Sequence, residues 1–398
     1  MQSSSNNNTI QGIVLLFVPV LVMLGAVMIS PVLGVISQHF SDVEYASVLV
    51  PLLLTAPALF LAFFSPVAGA LVNKLGAKNL LVIVLALYGI MGIAPVFLDS
   101  LYLILASRII LGIAEAGIVV AGMVLTSRYF YGENRQKWVA YQNIALPLIG
   151  AAMLSLVGMV SMADWRNAFG LYGLSFFIFL AALFFLYEPS KTAGEVQVQS
   201  TEKVSIPTPV IALFCAIAIP GSIAFYVVPV KLSFLLQSTG DFSPANVGKM
   251  LSFGLIFGAP AGAIAARLLK SWTFGKTLSL AMLTMSVGLF ILAFSNGNTM
   301  STVGVVIQQA GGGLMLTAAL TYVLSVAPSA HTGKYSGAWW FIYTLANFST
   351  PLVLSFTDNF TSSHQATVTV VACFIVAVSV WLFFTKTLGG RMSETPNK

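Results

Sequence analysis

Charge is what this sequence has least of. Of 398 residues only 30 are charged, 18 Lys and Arg and 12 Asp and Glu, while 58% are hydrophobic and the mean hydropathy is +0.94. A water-facing surface cannot be built from so few polar groups, which excludes an ordinary soluble domain. Cysteine is almost missing too. Cys215 and Cys373 both fall inside apolar runs, read as small apolar residues and offer no disulfide framework. The three histidines, His39, His331 and His364, lie in loops or at run ends without metal-ligand spacing. The apolar–polar alternation of a membrane β-barrel is absent. No nucleophile triad, no paired-carboxylate acid–base site and no GxxxxGK[ST] phosphate loop appears. The N-terminal MQSSSNNNT lacks a basic stretch and a small-residue cleavage site, so the first apolar run is expected to act as its own uncleaved signal.

What the chain does have is long apolar runs. A hydrocarbon core of about 30 Å is crossed by roughly 20 residues of helix. Twelve runs of that size occur, at 11–37, 47–72, 79–97, 101–126, 138–160, 167–187, 208–232, 247–269, 277–295, 300–327, 335–356 and 366–385. The expected fold is an all-α polytopic membrane protein, with twelve transmembrane helices in two six-helix halves. With a cytoplasmic N-terminus, fourteen Lys and Arg fall in inside segments and three in outside ones, Arg108 being the eighteenth. Acidic residues divide five to six with Glu115 apart, so the bias is one of basic residues. The positive-inside rule therefore puts both termini in the cytoplasm. The basic residues are scattered over six inside segments, and no nucleic-acid patch is expected.

One long polar interruption, Glu188 to Pro209, separates the halves. The expected domains are an N-terminal bundle over 1–187, a cytoplasmic loop over 188–207 and a C-terminal bundle over 208–398. The halves repeat weakly. Gly69-x-Leu71 with Lys74, between the second and third runs, matches Gly262-x-Ile264 with Arg267, between the eighth and ninth. Two related halves with a site between them is a transporter arrangement. Without a nucleotide site, the energy must come from a gradient.

Four motifs carry a resemblance to the major facilitator superfamily. Gly69-Ala-Leu71-Val-Asn73-Lys74-Leu-Gly76-Ala77-Lys78 is similar to its cytoplasmic signature, with Asn73 where the family has aspartate and Ala77 where it has a basic residue. Arg108-Ile-Ile-Leu-Gly112-Ile-Ala-Glu115-Ala-Gly117 resembles the fourth-helix signature of proton-coupled members. Pro147-Leu-Ile-Gly150-Ala151 partly matches the antiporter signature, with Leu146 and Ala151 in place of glycines. Val228-Pro229-Val230-Lys231-Leu232 resembles the seventh-helix end of twelve-helix drug and metabolite exporters. The resemblance implies that fold, and a cytoplasmic gate at Gly69, Asn73, Lys74, Gly76 and Lys78. Asn73 cannot form the charged latch of the family's aspartate, though it can still cap the next helix.

Arg108 and Glu115 are the two charges that lie deep inside an apolar run, the others sitting in or near the breaks between runs. Seven residues apart, they share one helix face at roughly 10 Å of rise. Charges at mid-bilayer cost about 2.5–3.5 kcal/mol each on insertion scales, so they face the bundle interior or a wet cavity. Gly112 lies on the same face, and its missing side chain is expected to leave a notch for water or a ligand group. Glu115 is the expected proton carrier, with Arg108 as its tuner or as an anion contact; the other reading is a fixed strut. Further cavity candidates are Trp339, Tyr343 and Asn347, four apart on one face, with Gln308, Gln309, Tyr226 and Lys231. Gly311-Gly312-Gly313 reads as a hinge or a close helix contact.

The expected function is secondary active transport by alternating access: proton-coupled export of a small organic compound, a drug-like amphiphile or a secreted metabolite. The alternative is a proton-coupled importer of an organic anion gripped by Arg108. No enzyme activity, cofactor or metal is expected beyond the proton gradient. The expected partners are the small-molecule substrate, protons and the lipid bilayer, for a monomer in the inner (plasma) membrane.

Overall fold

A computed structural model describes residues 8–189, 206–240, 242–328, 331–385 and 388. Most of the expected loop 188–207, and both termini, lie outside the described residues. Every regular element among the described residues is helical. In chain order the helices are α1 (Thr9–His39), α2 (Ala46–Leu75), α3 (Ala77–Phe97), α4 (Leu101–Tyr129), α5 (Gly132–Val160), α6 (Asn167–Phe185), α7 (Thr208–Thr239), α8 (Pro244–Leu268), α9 (Phe274–Ala293), α10 (Asn298–Val326), α11 (Thr332–Asp358) and α12 (His364–Phe384). Eleven of them are long and apolar enough to cross a membrane. The exception, α11, has the length, 27 residues, but carries too many Tyr, Thr, Ser, Asn and Gly residues.

Prolines explain most of the interruptions, because each removes an N–H from the helical ladder. In α1 the segment Thr9–Leu16 gives way to Val18–Val27, with Pro19 in its first turn, and then to a 3₁₀ turn at Ser30–Val32 around Pro31. The end of α3 tightens into a 3₁₀ turn, Ala94–Phe97, at Pro95. Pro260 separates the two parts of α8. Pro220 and Pro229 are carried inside α7 without breaking it.

The chain forms two compact units. Unit 1 comprises Met1–Ile29, Leu52–Met153 and Ala163–Ser205; unit 2 comprises Ser30–Pro51, Leu154–Met162 and Ile206–Lys398. The split does not follow the chain midpoint, since the last part of α1 packs with the C-terminal helices. Ser30 donates to the Pro229 carbonyl and Ser233 donates back to the Ser30 carbonyl.

With no hydrophobic drive between helices in lipid, close approach of backbones through small residues does the packing. In unit 2, α10 lies against α9 at Gly304 and Gly311, where an added Cβ would come 2.9 Å from the Gly288 carbonyl and 2.5 Å from the Met285 nitrogen. At Gly313 it would come 2.6 Å from the Gly258 carbonyl of α8. These glycines serve close helix contact, and α10 runs unbroken through them in this conformation.

Candidate functional site

In unit 1 the two intramembrane charges of α4 are both buried, Arg108 at 0% and Glu115 at 1% exposure. The Met91 carbonyl of α3 would ordinarily accept from the N–H four residues on, but that residue is Pro95, which has none. Arg108 supplies the missing donor: Nη2 lies 2.8 Å from the Met91 carbonyl and 3.1 Å from that of Gly92. The guanidinium also rests on two rings of α6, with centroids at 5.1 Å for Phe169 and 4.9 Å for Tyr172, a cation–π arrangement. Its Nε and Nη1 have no hydrogen-bond partner.

Glu115 is held differently. Its Oε1 is buried without a hydrogen-bond partner. Among the described residues no ion pair joins it to Arg108. Its carboxyl fills the space left by the missing side chain of Gly25 in α1, where an added Cβ would overlap Oε1. The expected notch at Gly112 is corrected by the structure. A Cβ there would collide with the Pro57 carbonyl, so the backbone of α2 occupies the gap between the two charges.

A cavity of about 370 Å³ opens in unit 1 among α1, α3, α5 and α6, with Leu24, Met28, Tyr88, Met153 and Tyr172 in its wall. Neither Arg108 nor Glu115 lines it, but Tyr172 belongs both to this wall and to the stack on Arg108. Tyr88 donates to the Leu21 carbonyl at 2.7 Å and packs on Tyr172, centroids 5.5 Å apart.

In unit 2 the polar face of α11 turns inward. Trp339, Tyr343 and Asn347 are all buried, at 0%, 5% and 4% exposure. The Trp339 and Tyr343 rings stack at 6.3 Å, and Phe214 of α7 stands edge-on to Trp339 at 5.8 Å. Trp339 Nε1, Tyr343 Oη and Asn347 Oδ1 each lack a hydrogen-bond partner. A buried polar group left in that state costs about 1–3 kcal/mol.

Gln308 and Gln309 of α10 diverge. Gln308 Nε2 donates to the carbonyls of Ala224 (2.7 Å) and Phe225 (3.2 Å) in α7. The Phe225 carbonyl faces Pro229 four residues on, so Gln308 repairs a proline gap as Arg108 does; its Oε1 stays unpaired. Gln309 instead packs on Gly254 and Gly258 of α8. Tyr226 is buried beside Phe225, their rings 5.6 Å apart. Lys231, a cavity candidate, is held by partners. It is buried, paired with Asp358 at the end of α11 and 3.3 Å from Nδ1 of His364 on α12. Thr367 also donates to Asp358, at 2.5 Å. Sequence reading missed Asp358 and His364, because their runs are remote from Lys231 in the chain.

The expected gate residues meet a partner that was also missed. Gly76 starts α3 with φ +85°, a left-handed value that favours glycine, and an added Cβ would strike the Glu188 carboxylate at 2.7 Å. Glu188 accepts from the backbone N–H groups of Ala77 (2.9 Å) and Lys78 (2.7 Å), and from Arg128 of α4 at 3.1 Å. Asn73 and Lys74 are exposed, and Gly69 faces open space. The cap expected from Asn73 therefore comes from Glu188, because a carboxylate at a helix N-terminus satisfies free N–H groups and opposes the helix dipole. The signal was present in the sequence, as an acidic residue closing the sixth apolar run.

Comparison with known proteins is consistent with this geometry. The sequence matches the model of the Major Facilitator Superfamily over residues 15–351. It is 22% identical over 364 residues to a tetracycline resistance protein, class H, of Pasteurella multocida, covering 88% of this chain and 90% of that one. The fold superposes on the inward open xylose transporter XylE from E. coli with a TM-score of 0.74 at 14% identity, covering 96% of this chain and 97% of that one. It also superposes on a mutant of the peptide transporter POT with a TM-score of 0.76 at 11% identity, covering 95% of each chain.

Proposed function

The chain belongs to the Major Facilitator Superfamily and is a multi-pass membrane transporter, not an enzyme; from that premise we propose that it exports a small organic compound in exchange for protons. The observation that carries the reading is the state of Glu115. Its carboxyl is buried and Oε1 has no partner, while the nearest intramembrane cation in the sequence, Arg108, is engaged with the Met91 and Gly92 carbonyls. A buried ionised carboxylate with no partner is strongly disfavoured, and a proton is the smallest ligand that removes its charge. In the proposed cycle Glu115 takes a proton from outside as substrate leaves and yields it inward as substrate loads.

Export of a drug-like amphiphile is supported by the likeness to a tetracycline resistance protein and by the apolar cavity beside Tyr88 and Tyr172. The alternative, import of an organic anion, requires Arg108 to grip a carboxylate, and the engagement of Nη2 with two carbonyls weighs against it. In this reading α11 is the twelfth crossing, shielded from lipid on its polar face. Both termini are cytoplasmic, and the protein works as a monomer in the inner membrane with the proton gradient as its energy source.

Purified protein in vesicles under an imposed pH gradient tests the reading. Wild-type protein should move protons against substrate, and Glu115→Gln should abolish the pH dependence while keeping the fold. Unchanged proton coupling in that variant removes Glu115 from the mechanism.

A further inference from the structure

Three helix ends of unit 2 meet on one ionisable cluster: Lys231 of α7, Asp358 at the end of α11 and His364 at the start of α12. The contacts fix where the protons sit. A lysine ammonium has three donors and no acceptor. Its 3.3 Å contact with His364 Nδ1 therefore requires Nδ1 to accept, which only a neutral ring carrying its proton on Nε2 can do. Asp358 holds Lys231 through Oδ2, while its Oδ1 accepts from Thr367 at 2.5 Å and stands 3.7 Å from His364 Nδ1. A proton added at Nδ1 reverses the role of that atom. It stops accepting from Lys231, turns into a donor facing Asp358, and puts a second positive charge beside the first. Histidine is the side chain whose charge changes near neutral pH. The His364 side chain is 38% exposed, so water reaches it, whereas Lys231 is enclosed.

The tie to α12 backs a second contact of α7. The Pro229 carbonyl accepts from Ser30, Ser233 donates to the Ser30 carbonyl, and Gln237 packs on Gly34. These three residues are four apart and form one stripe against the last part of α1. Lys231 lies two residues from Pro229 and from Ser233, which puts it on the opposite face of α7. On that face His364 also packs on Phe234, ring centroids 5.6 Å apart, and Gln365 donates to Ser238 at 2.8 Å. The other ionisable groups of unit 2 at this end are His39 of α1, Asp42 and Glu44 in the loop after it, Lys249 of α8, and Asp241, which lies outside the described residues. Neither α9 nor α10 brings a charged residue here. In the proposed orientation this end faces outside. We infer that His364 is a proton-binding site on the outer face, separate from Glu115, and that a proton taken up there frees Lys231 from α12 and loosens α7 against α1. The inference goes beyond the exchange reading, because neither this proton nor its effect on α7 requires Glu115 or a transported compound.

Two measurements on the full-length protein test this. The first is nuclear magnetic resonance of histidine-labelled protein in detergent. The chain has three histidines, so His39→Asn and His331→Asn assign the signals. The His364 ring should carry its proton on Nε2 at about pH 8 and take a second on Nδ1 as the pH falls to about 5. Lys231→Met removes a like charge and should raise the proton affinity of His364 at least about threefold, while Asp358→Asn should lower it by a similar factor. Glu115→Gln should leave the titration unchanged; a shift there overturns the separateness of the two sites. The second measurement labels Gln237→Cys, in a Cys215→Ser/Cys373→Ser background, in intact cells with a membrane-impermeant maleimide at one fixed pH. His364→Arg holds a permanent charge, and His364→Asn offers a short acceptor that takes no proton. The Arg protein should label at least about threefold faster than the Asn protein. A ring that stays neutral throughout the range overturns the proposal. So does a proton affinity that neither partner variant moves, or equal labelling of the two His364 variants, which marks the contact as a fixed strut.

Discussion

Arg108 completes a hydrogen bond that Pro95 denies to Met91. The Met91 carbonyl lies one helical turn before the proline, and Arg108 Nη2 takes the place of the absent N–H at 2.8 Å. If this is the main structural task of the guanidinium, its value depends on the proline. Arg108→Leu should lower stability by about 2–4 kcal/mol, since it leaves the carbonyl unpaired and strips the rings of Phe169 and Tyr172 of their cation. Pro95→Ala restores a backbone donor. In that background the loss caused by Arg108→Leu should shrink by about 1 kcal/mol, a coupling that a double-mutant cycle of melting curves in detergent measures directly. Additivity would detach Arg108 from the kink.

Gly25 and Glu115 form a second dependent pair. The carboxyl occupies the volume that any larger residue at 25 would need, with Oε1 standing where an added Cβ would go. Gly25→Ala should therefore force α1 from α4 or turn the carboxyl to another rotamer, with a loss of about 1–3 kcal/mol typical of overpacking. Glu115→Ala empties the same volume, so the double variant should regain most of the melting temperature lost in Gly25→Ala alone. Failure to recover would mean that Gly25 is needed for a contact other than Glu115.

How much of this was legible in the sequence depended on the range of the interaction. Helix positions follow from run length against bilayer thickness: each of the twelve runs has a helix, and eleven of these are long and apolar enough to cross a membrane. The polar stripe Trp339, Tyr343 and Asn347 could be placed on one face from its spacing alone, and that face is buried. Proline gaps were readable as breaks, but the residues that repair them, Arg108 and Gln308, sit on other helices, and an almost uniformly apolar helix gives no periodicity from which to fix its rotation. The Gly112 notch failed for that reason: the sequence shows that space exists but not that Pro57 fills it. The partners of Lys231 were not legible because Asp358 and His364 come from distant turns.

Glu188 joins α3 to α4 through two backbone N–H groups and Arg128. Glu188→Gln keeps the shape but loses the charge, so it should reduce stability by about 1 kcal/mol, in the range of a helix cap. Gly76→Ala should be more harmful, because it combines a left-handed backbone with a clash against that carboxylate. Glu188→Ala should soften the clash part of that effect and leave the backbone part. Melting curves of the three variants and of Gly76→Ala/Glu188→Ala separate the two contributions. A Glu188→Gln protein as stable as wild type would show that the cap adds nothing.

The pair formed by Lys231 and Asp358 should behave asymmetrically. Lys231 is nearly enclosed, its side chain 7% exposed, whereas that of Asp358 is 29% exposed. Removing one member of a buried pair strands the other charge, at about 3–5 kcal/mol when both are fully enclosed. Asp358→Asn strands the enclosed lysine, and with the site partly open a loss on the order of 2 kcal/mol is expected. Lys231→Met strands a carboxylate that water can reach and that still accepts from Thr367, so its loss should be smaller. The double variant Lys231→Met/Asp358→Asn removes both charges and should be more stable than Asp358→Asn alone. Thermal unfolding of the four proteins at two salt concentrations decides it, because screening acts on the exposed partner and leaves the enclosed one nearly untouched. If Lys231→Met proves the more damaging change, the lysine is stabilising something besides Asp358, and His364, 3.3 Å from its Nζ, is the next group to vary.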